Sequence, residues 1–302
     1  DLQLSLLKSP DQKYSYEDTL VNISASYAQM APAFQEIFLQ TATSGSIDVY
    51  PNPEGGKRPG GYCQDMCALN RPALIFMNYK GLIDDQRTLT HEMGHAINFY
   101  LMGSNVDYLY CTGTEYEMEI PSTFNEELFV DYALANYDRE TALAVLADSI
   151  NDYVNYFTFQ PMITEFEDAA HDLCRQKGNL SGRELNQLWT SLSRQYRTSL
   201  VDYYAEDNAQ WTYVSHIYFT NNYYTFSYAL SKAITLSLFK MYKEDPQKFN
   251  GNYAAYLSAG SSMTPQDKLK GFFGIEIDRR LFEDAMDVIE KRVEQLEQLE
   301  GK

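Results

Sequence analysis

Thr90-His91-Glu92-Met93-Gly94-His95-Ala96-Ile97-Asn98-Phe99-Tyr100 is the stretch on which the reading of this chain turns. On a helix, residues four apart lie about 40° from each other, so the two imidazoles share a face and reach one ion. Glu92 lies about 100° round from His91, close enough to serve a water on that ion without being drawn into coordination. Leu89, Met93, Ala96, Ile97 and Tyr100 gather on the opposite side as the expected core stripe. The chain has four histidines. That two of them stand four apart, with Glu after the first, is a matter of roughly a few chances in a thousand, so the metal reading outweighs a solvated face carrying stray histidines. Asp84 or Asp85 is expected to cap this helix and Gly103 to stop it, giving a metal-binding helix over about 84–102.

Zinc in a catalytic site takes a third protein ligand and leaves the fourth position to water. No third histidine follows at the metzincin spacing. Thr114 with Glu117 instead reads as a capping box that opens a second helix over about 115–137. Glu119 stands two residues before Pro121, where a helix starts or kinks. Glu115, Glu119 and Glu126 share one face of that helix, and spacing does not choose among them. The two that do not bind metal are candidates to hold the histidines in place.

Around these helices the signals are mainly helical. Ser15 and Asp18 mark a helix start, with a long stretch to about Thr43. Ile47–Tyr50 and Ala73–Met77 are short strand candidates, placing a small sheet over about 47–79. The second strand could pair an extended peptide along its edge or lie buried within the sheet. Pro51–Gly61, with three prolines and four glycines, is a loop that could act as a flap. Helices are expected from Asp84 almost to the end, broken near Gly103, Gly178, Asp207, Gly251 and Gly274. The expected architecture is a mainly α, zincin-like helical catalytic domain with a small β-sheet at the cleft edge, a single domain over 1–302.

Composition bounds the partners. Lys plus Arg number 24 against 42 Asp plus Glu, a formal net charge of −18. Neither a phosphate backbone nor an anionic membrane gains counterions from such a surface, so nucleic acid and membrane are excluded as expected partners. No apolar run approaches the roughly 20 residues that span a bilayer. Four cysteines (Cys63, Cys67, Cys111 and Cys174) are too few for a disulfide framework, and free thiols in a reducing, cytoplasmic setting are expected, with a Cys63–Cys67 pairing left open. The start at Asp1 rather than Met points to a trimmed chain, so secretion stays open. Asn22-Ile23-Ser24 and Asn179-Leu180-Ser181 match a glycosylation pattern too short to carry weight. His171 sits on an ordinary exposed helix.

With these residues in view, the chain resembles the oligoendopeptidase F and thimet oligopeptidase family of zinc peptidases, from about Tyr14 to Asp287. His91-Glu92-Met93-Gly94-His95 is followed 24 residues later by Glu119-Ile120-Pro121-Ser122-Thr123-Phe124-Asn125-Glu126, similar to the family's second metal-binding helix. Ile47-Asp48-Val49-Tyr50, Arg58-Pro59-Gly60-Gly61-Tyr62 and Ile75-Phe76-Met77-Asn78-Tyr79 resemble its cleft-edge strands. His216-Ile217-Tyr218 through Tyr223-Tyr224-Thr225-Phe226-Ser227-Tyr228-Ala229 resembles its His- and Tyr-rich segment. The resemblance implies one Zn2+ held by His91, His95 and Glu119, with Glu92 as general base and peptides as substrates. It places His216 and Tyr228 opposite the scissile bond, with Tyr224 the next choice and Tyr223 after it. On residues alone, that cluster reads as an aromatic core holding one histidine. Family members carry a further N-terminal helical half as the other channel wall, and this chain lacks it. The expected function is therefore a zinc oligopeptidase or, alternatively, a catalytically impaired peptide-binding fragment. A zinc hydrolase acting on a non-peptide amide is a weaker third option.

Overall fold

The computed structural model of the protein describes residues 12–57, 60–69, 71–197 and 204–301. Ser15 accepts from the Asp18 N–H and donates its hydroxyl to the Asp18 carboxylate at 2.7 Å, starting α1 (Tyr16–Ser26) as expected. The helix does not run on to Thr43. It stops at Ser26, and α2 (Pro32–Thr43) begins afresh, because Pro32 has no N–H to bond backwards and its fixed φ suits a first turn. Asn22 lies inside α1 with its side chain bonded to Gln86, Tyr132 and Tyr137, so it is no loop acceptor for a glycan.

The small sheet is present. It consists of β1 (Ile47–Asp48), β2 (Tyr62–Gln64) and β3 (Leu74–Phe76) in the order β1-β3-β2. β3 runs parallel to β1 and antiparallel to β2, with Tyr62 opposite Phe76 and the two rings stacked at 4.5 Å. The strand at Ala73–Met77 is thus the inner one, and its two edges are already taken; an edge for a peptide would have to come from β1 or β2. Arg58 and Pro59 of the candidate flap lie outside the described residues. Beside them, the Lys57 amine donates to the Asp48 and Tyr50 carbonyls, and Asn78 donates to the Gly60 carbonyl at 2.7 Å. Any flap motion has to break these ties.

The helices that follow are α3 (Ile83–Asn105), α4 (Glu115–Asn136), α5 (Arg139–Val154), α6 (Gln160–Lys177), α7 (Gly182–Tyr196), α8 (His216–Phe219), α9 (Phe226–Glu244), α10 (Pro246–Ser258), α11 (Pro265–Phe273) and α12 (Arg279–Glu300). Gly178 and Gly274 end α6 and α11 in positive-φ conformations, as expected. Gly103 and Gly251 do not stop anything: they lie inside α3 and α10 without the positive φ that makes glycine a terminator. The N-cap of α3 is Leu82 rather than an aspartate, while Asp85 reaches back to accept from the Lys80 and Leu82 N–H groups.

The chain forms two compact units, Asp1–Asn151 with Ser231–Lys302 and Asp152–Leu230. The first is organised on α3 and α4, which pack chiefly on each other. Leu89, Met93, Ala96 and Ile97 are buried as the stripe requires, and Tyr100 is half-buried. Phe124 of α4 stacks with Phe249 and meets Phe239, Tyr242 and Tyr253. The second unit has its own core of Met162, Ile163, Phe166, Trp189 and Leu192.

Cys67 and Cys111 are joined by a disulfide, while Cys63 and Cys174 are free. The expectation of four free thiols fails here, as does a Cys63–Cys67 pairing, because the fold brings the loop between α3 and α4 back against the segment after β2. Disulfides persist in oxidising compartments, so this pair no longer argues for a reducing one. Among the described residues, no helix is long and apolar enough to cross a membrane.

Candidate metal centre

The site is built where α3 and α4 come closest. A Cβ on Gly94 would lie 2.4 Å from the Pro121 carbonyl oxygen and 2.5 Å from the Ser122 Cα, so only glycine permits this approach. Pro121 sits inside α4 rather than at its start; the helix opens at Glu115 through the expected capping box, in which Thr114 N–H and hydroxyl donate to Glu117 at 2.9 and 2.8 Å. Asn125 ties the two helices again by donating to the Thr90 carbonyl and to the Tyr27 hydroxyl.

This close crossing brings Glu119 to the two imidazoles. His91 Nε2 is 3.2 Å from His95 Nε2 and 3.4 Å from Glu119 Oε2, and His95 Nε2 is 3.6 Å from the same oxygen. Among the described residues, these three form the group of His, Cys, Asp or Glu donors able to hold a metal ion. A point about 2.0 Å from all three donor atoms lies at the centre of their triangle, a distance suited to a small divalent ion. Ser122 donates to Glu119 Oε2 at 3.0 Å, which helps fix the carboxylate, while Thr123 donates to the Glu119 backbone carbonyl at 2.7 Å. His91 Nδ1 lies 2.7 Å from Glu126 Oε1; with the proton on Nδ1 and donated there, Nε2 keeps its lone pair for the ion. So of the three carboxylates left open by spacing, Glu119 meets the imidazoles and Glu126 lies behind one of them. Glu115, a turn before Glu119, is not part of the group.

Charge in the site is tightly balanced. Burial opposes the charged form of His91, but hydrogen bonds and negative charge from Glu119 and Glu126 overcome it and raise its pKa well above 6.5. His95 goes the other way: burial and the neighbouring His91 hold it near 4, against the pull of Glu119. Burial pushes Glu119 and Glu126 upward, yet both end at about 2, Glu119 through His91 and His95 and Glu126 through Lys232 and His91. Glu92 is buried, and its pKa rises to about 7, chiefly by desolvation and also by Glu119 and Glu126, with His91 opposing.

The other expected residues form a cluster in the second unit. His216 Nε2 is 3.1 Å from the Tyr228 hydroxyl, and its ring stacks on Tyr224 at 5.4 Å. Burial lowers the pKa of His216. Tyr224 also meets Tyr228 edge-on at 5.5 Å. Tyr223 turns elsewhere: at φ 63 its N–H donates to Glu167, and its ring lies near exposed His171. Tyr224, not Tyr223, therefore belongs with His216 and Tyr228.

Sequence reasoning missed the buried ions behind α4. Lys232 and Glu127 are 3.0 Å apart, and Arg292 reaches Glu127 at 3.0 Å and Asp131 at 2.7 Å. The only local hint was a second glutamate directly after Glu126.

The chain is 26% identical to oligopeptidase PepF of Bacillus subtilis (strain 168), over 99% of this chain and 44% of that protein. It is 28% identical to the chromosomal oligoendopeptidase F of Lactococcus lactis subsp. cremoris, over 97% of this chain and 48% of the relative. The chain thus spans about half the length of these relatives. The crystal structure of oligoendopeptidase-F from Enterococcus faecium superposes with a TM-score of 0.65 at 23% identity, covering 94% of this chain and 44% of that one. The sequence profile of peptidase family M3 matches residues 11–288, nearly the whole of this chain. Because that profile covers nearly the whole chain, the chain belongs to peptidase family M3.

Proposed function

We propose that this chain hydrolyses peptide bonds of oligopeptides, with one zinc ion held by His91, His95 and Glu119 and with Glu92 as general base. The observation that carries the proposal is the donor triangle. Its radius of about 2.0 Å meets zinc–nitrogen and zinc–oxygen bond lengths of about 2.0–2.2 Å, and two imidazoles with one carboxylate are a donor set suited to catalytic zinc. When bound, zinc acts as a Lewis acid that lowers the pKa of water toward about 7 and polarises a carbonyl. Glu92 accepts the proton from the attacking water and passes it to the departing amine. Burial raises the Glu92 pKa to about 7 before any ion is bound, and this desolvated carboxylate suits a group that must take and return a proton. Glu126 keeps the His91 ring oriented throughout.

His216, Tyr224 and Tyr228 are assigned to stabilising the oxyanion, as the family resemblance implies. What supports this is their mutual geometry: an imidazole kept neutral by burial, bonded to one tyrosine and stacked on another, offers preorganised donors. A second reading is a peptide-binding module without turnover. Hydrolysis of a quenched fluorescent peptide, with and without a chelator and in the Glu92→Gln variant, separates the two. Cleavage that needs zinc and is lost in Glu92→Gln while metal is retained supports the enzyme. Peptide binding with no cleavage by the zinc-loaded protein refutes it.

A further inference from the structure

Glu126 has two oxygens, and the structure uses both. Oε1 takes the Nδ1 side of His91 at 2.7 Å, while Oε2 lies 3.4 Å from the amine of Lys232. Lys232 comes from α9, 106 residues along the chain, and is 1% exposed. Burying an ammonium that completely is costly unless carboxylates accompany it, and here Glu127 also lies 3.0 Å from it. Glu127 is also paired with Arg292, so its charge is balanced from a second direction. Lys232 is therefore not needed merely to neutralise Glu127. The neighbouring turn is fixed independently, since Thr235 of α9 and Thr123 of α4 share a hydrogen bond of 2.7 Å. The amine is thus held at a set height along α4, beside the outer oxygen of Glu126.

We propose that Lys232 is a positioning residue of the metal centre: by holding the outer oxygen of Glu126, it fixes the carboxylate that orients the His91 ring toward the ion. This rests on the reading of His91, His95 and Glu119 as a zinc site. Remove the amine, and Glu126 keeps its bond to His91 but loses the contact that stops it from rotating about its own side chain. The imidazole then loses its fixed direction and tautomer, which is the general cost of disturbing a group behind a ligating histidine.

The test is zinc affinity, read by competition with a chromogenic chelator, in the wild type, Lys232→Met, Glu126→Gln and the double variant, with thermal unfolding followed in parallel. Lys232→Met is expected to weaken zinc binding roughly 10- to 100-fold. In the Glu126→Gln background the same change should have little further effect, because its route runs through Glu126. Lys240→Met, on the same helix as Lys232, breaks ion pairs to Asp284 and Asp287 of α12 and is expected to leave zinc affinity unchanged. If the wild type binds zinc and Lys232→Met binds it equally well, the proposal is overturned while the metal site stands. Effects of the two single variants that multiply in the double variant also overturn it. A wild type that takes up no zinc overturns both. Should Lys232→Met not fold, Lys232→Gln replaces it; if neither folds, Lys232 is a structural residue and the proposal fails.

Discussion

Gly94→Ala puts one methyl group where the two ligand-bearing helices touch. The added carbon would meet the Pro121 carbonyl oxygen at 2.4 Å, whereas ordinary contact begins at 3.4 Å. The obstacle is backbone, which cannot swing aside, so α3 and α4 must separate by about 1 Å. Two of the three edges of the donor triangle, 3.4 and 3.6 Å, end on Glu119, two residues from Pro121. Lengthening both by that amount raises the radius of the triangle to about 2.4 Å, beyond zinc bond lengths of about 2.0–2.2 Å. Alanine improves helix propensity by about 1 kcal/mol over glycine, but overpacking costs about 1–3 kcal/mol, so the variant should melt earlier as well. The matching control is Gly251→Ala in α10, where an added Cβ meets nothing and propensity alone should stabilise the protein. Differential scanning fluorimetry with and without zinc, together with chelator competition, reads both effects. We expect Gly94→Ala to lower the melting temperature and weaken zinc binding at least tenfold. If Gly94→Ala instead behaves like Gly251→Ala, stable and with unchanged zinc affinity, the close crossing does not set the site.

Three further outcomes follow from charge and connectivity. Glu119 and Glu126 raise the pKa of His91 and favour its protonated form, and burial raises that of Glu92. An arriving cation opposes those protonated forms, so zinc binding should release protons and weaken as pH falls; calorimetry in buffers of different ionisation enthalpy counts them, and zero release contradicts the assignment. The Cys67–Cys111 bond closes a loop of sequence separation 44, worth about 4 kcal/mol in the chain-entropy model. Cys67→Ser with Cys111→Ser, or reduction, should therefore lower the denaturation midpoint measurably, and an unchanged midpoint would show that the loop is already held by packing. Tyr228→Phe should reduce kcat about a hundredfold with KM little changed if its hydroxyl meets the oxyanion, whereas a purely structural tyrosine would show mainly in thermal stability.

The histidine pair was readable because a four-residue spacing is local and a helix translates it directly into direction. Spacing alone did not choose Glu119, since Glu115, Glu119 and Glu126 are equivalent in period; only the family resemblance pointed to it. What selects among them is the height at which α4 crosses α3, and that height is set by the Gly94–Pro121 contact, a fact of packing. The glycine in the motif was visible, but nothing local in the sequence shows that another helix crosses there. Pro32 carried a signal for ending α1 early that a long helical pattern masked. Gly103 and Gly251 show the reverse: a glycine stops a helix only where the backbone turns left-handed, which composition does not reveal. The disulfide and the Lys232–Glu127–Arg292 group depend on residues brought together from up to 165 positions apart, and no periodicity records such distances.

Arg292 belongs to the last helix, α12, is 3% exposed, and pairs with Glu127 and Asp131 on the helix that carries Glu119. A designer wishing to transplant this centre could be tempted to lift out only the α3–α4 hairpin, since all three donor atoms lie on it. That graft would bring Glu127 into a new scaffold stripped of both cations that balance it. The smallest transferable piece is thus four helices rather than two, with α9 and α12 travelling as ballast for the charge.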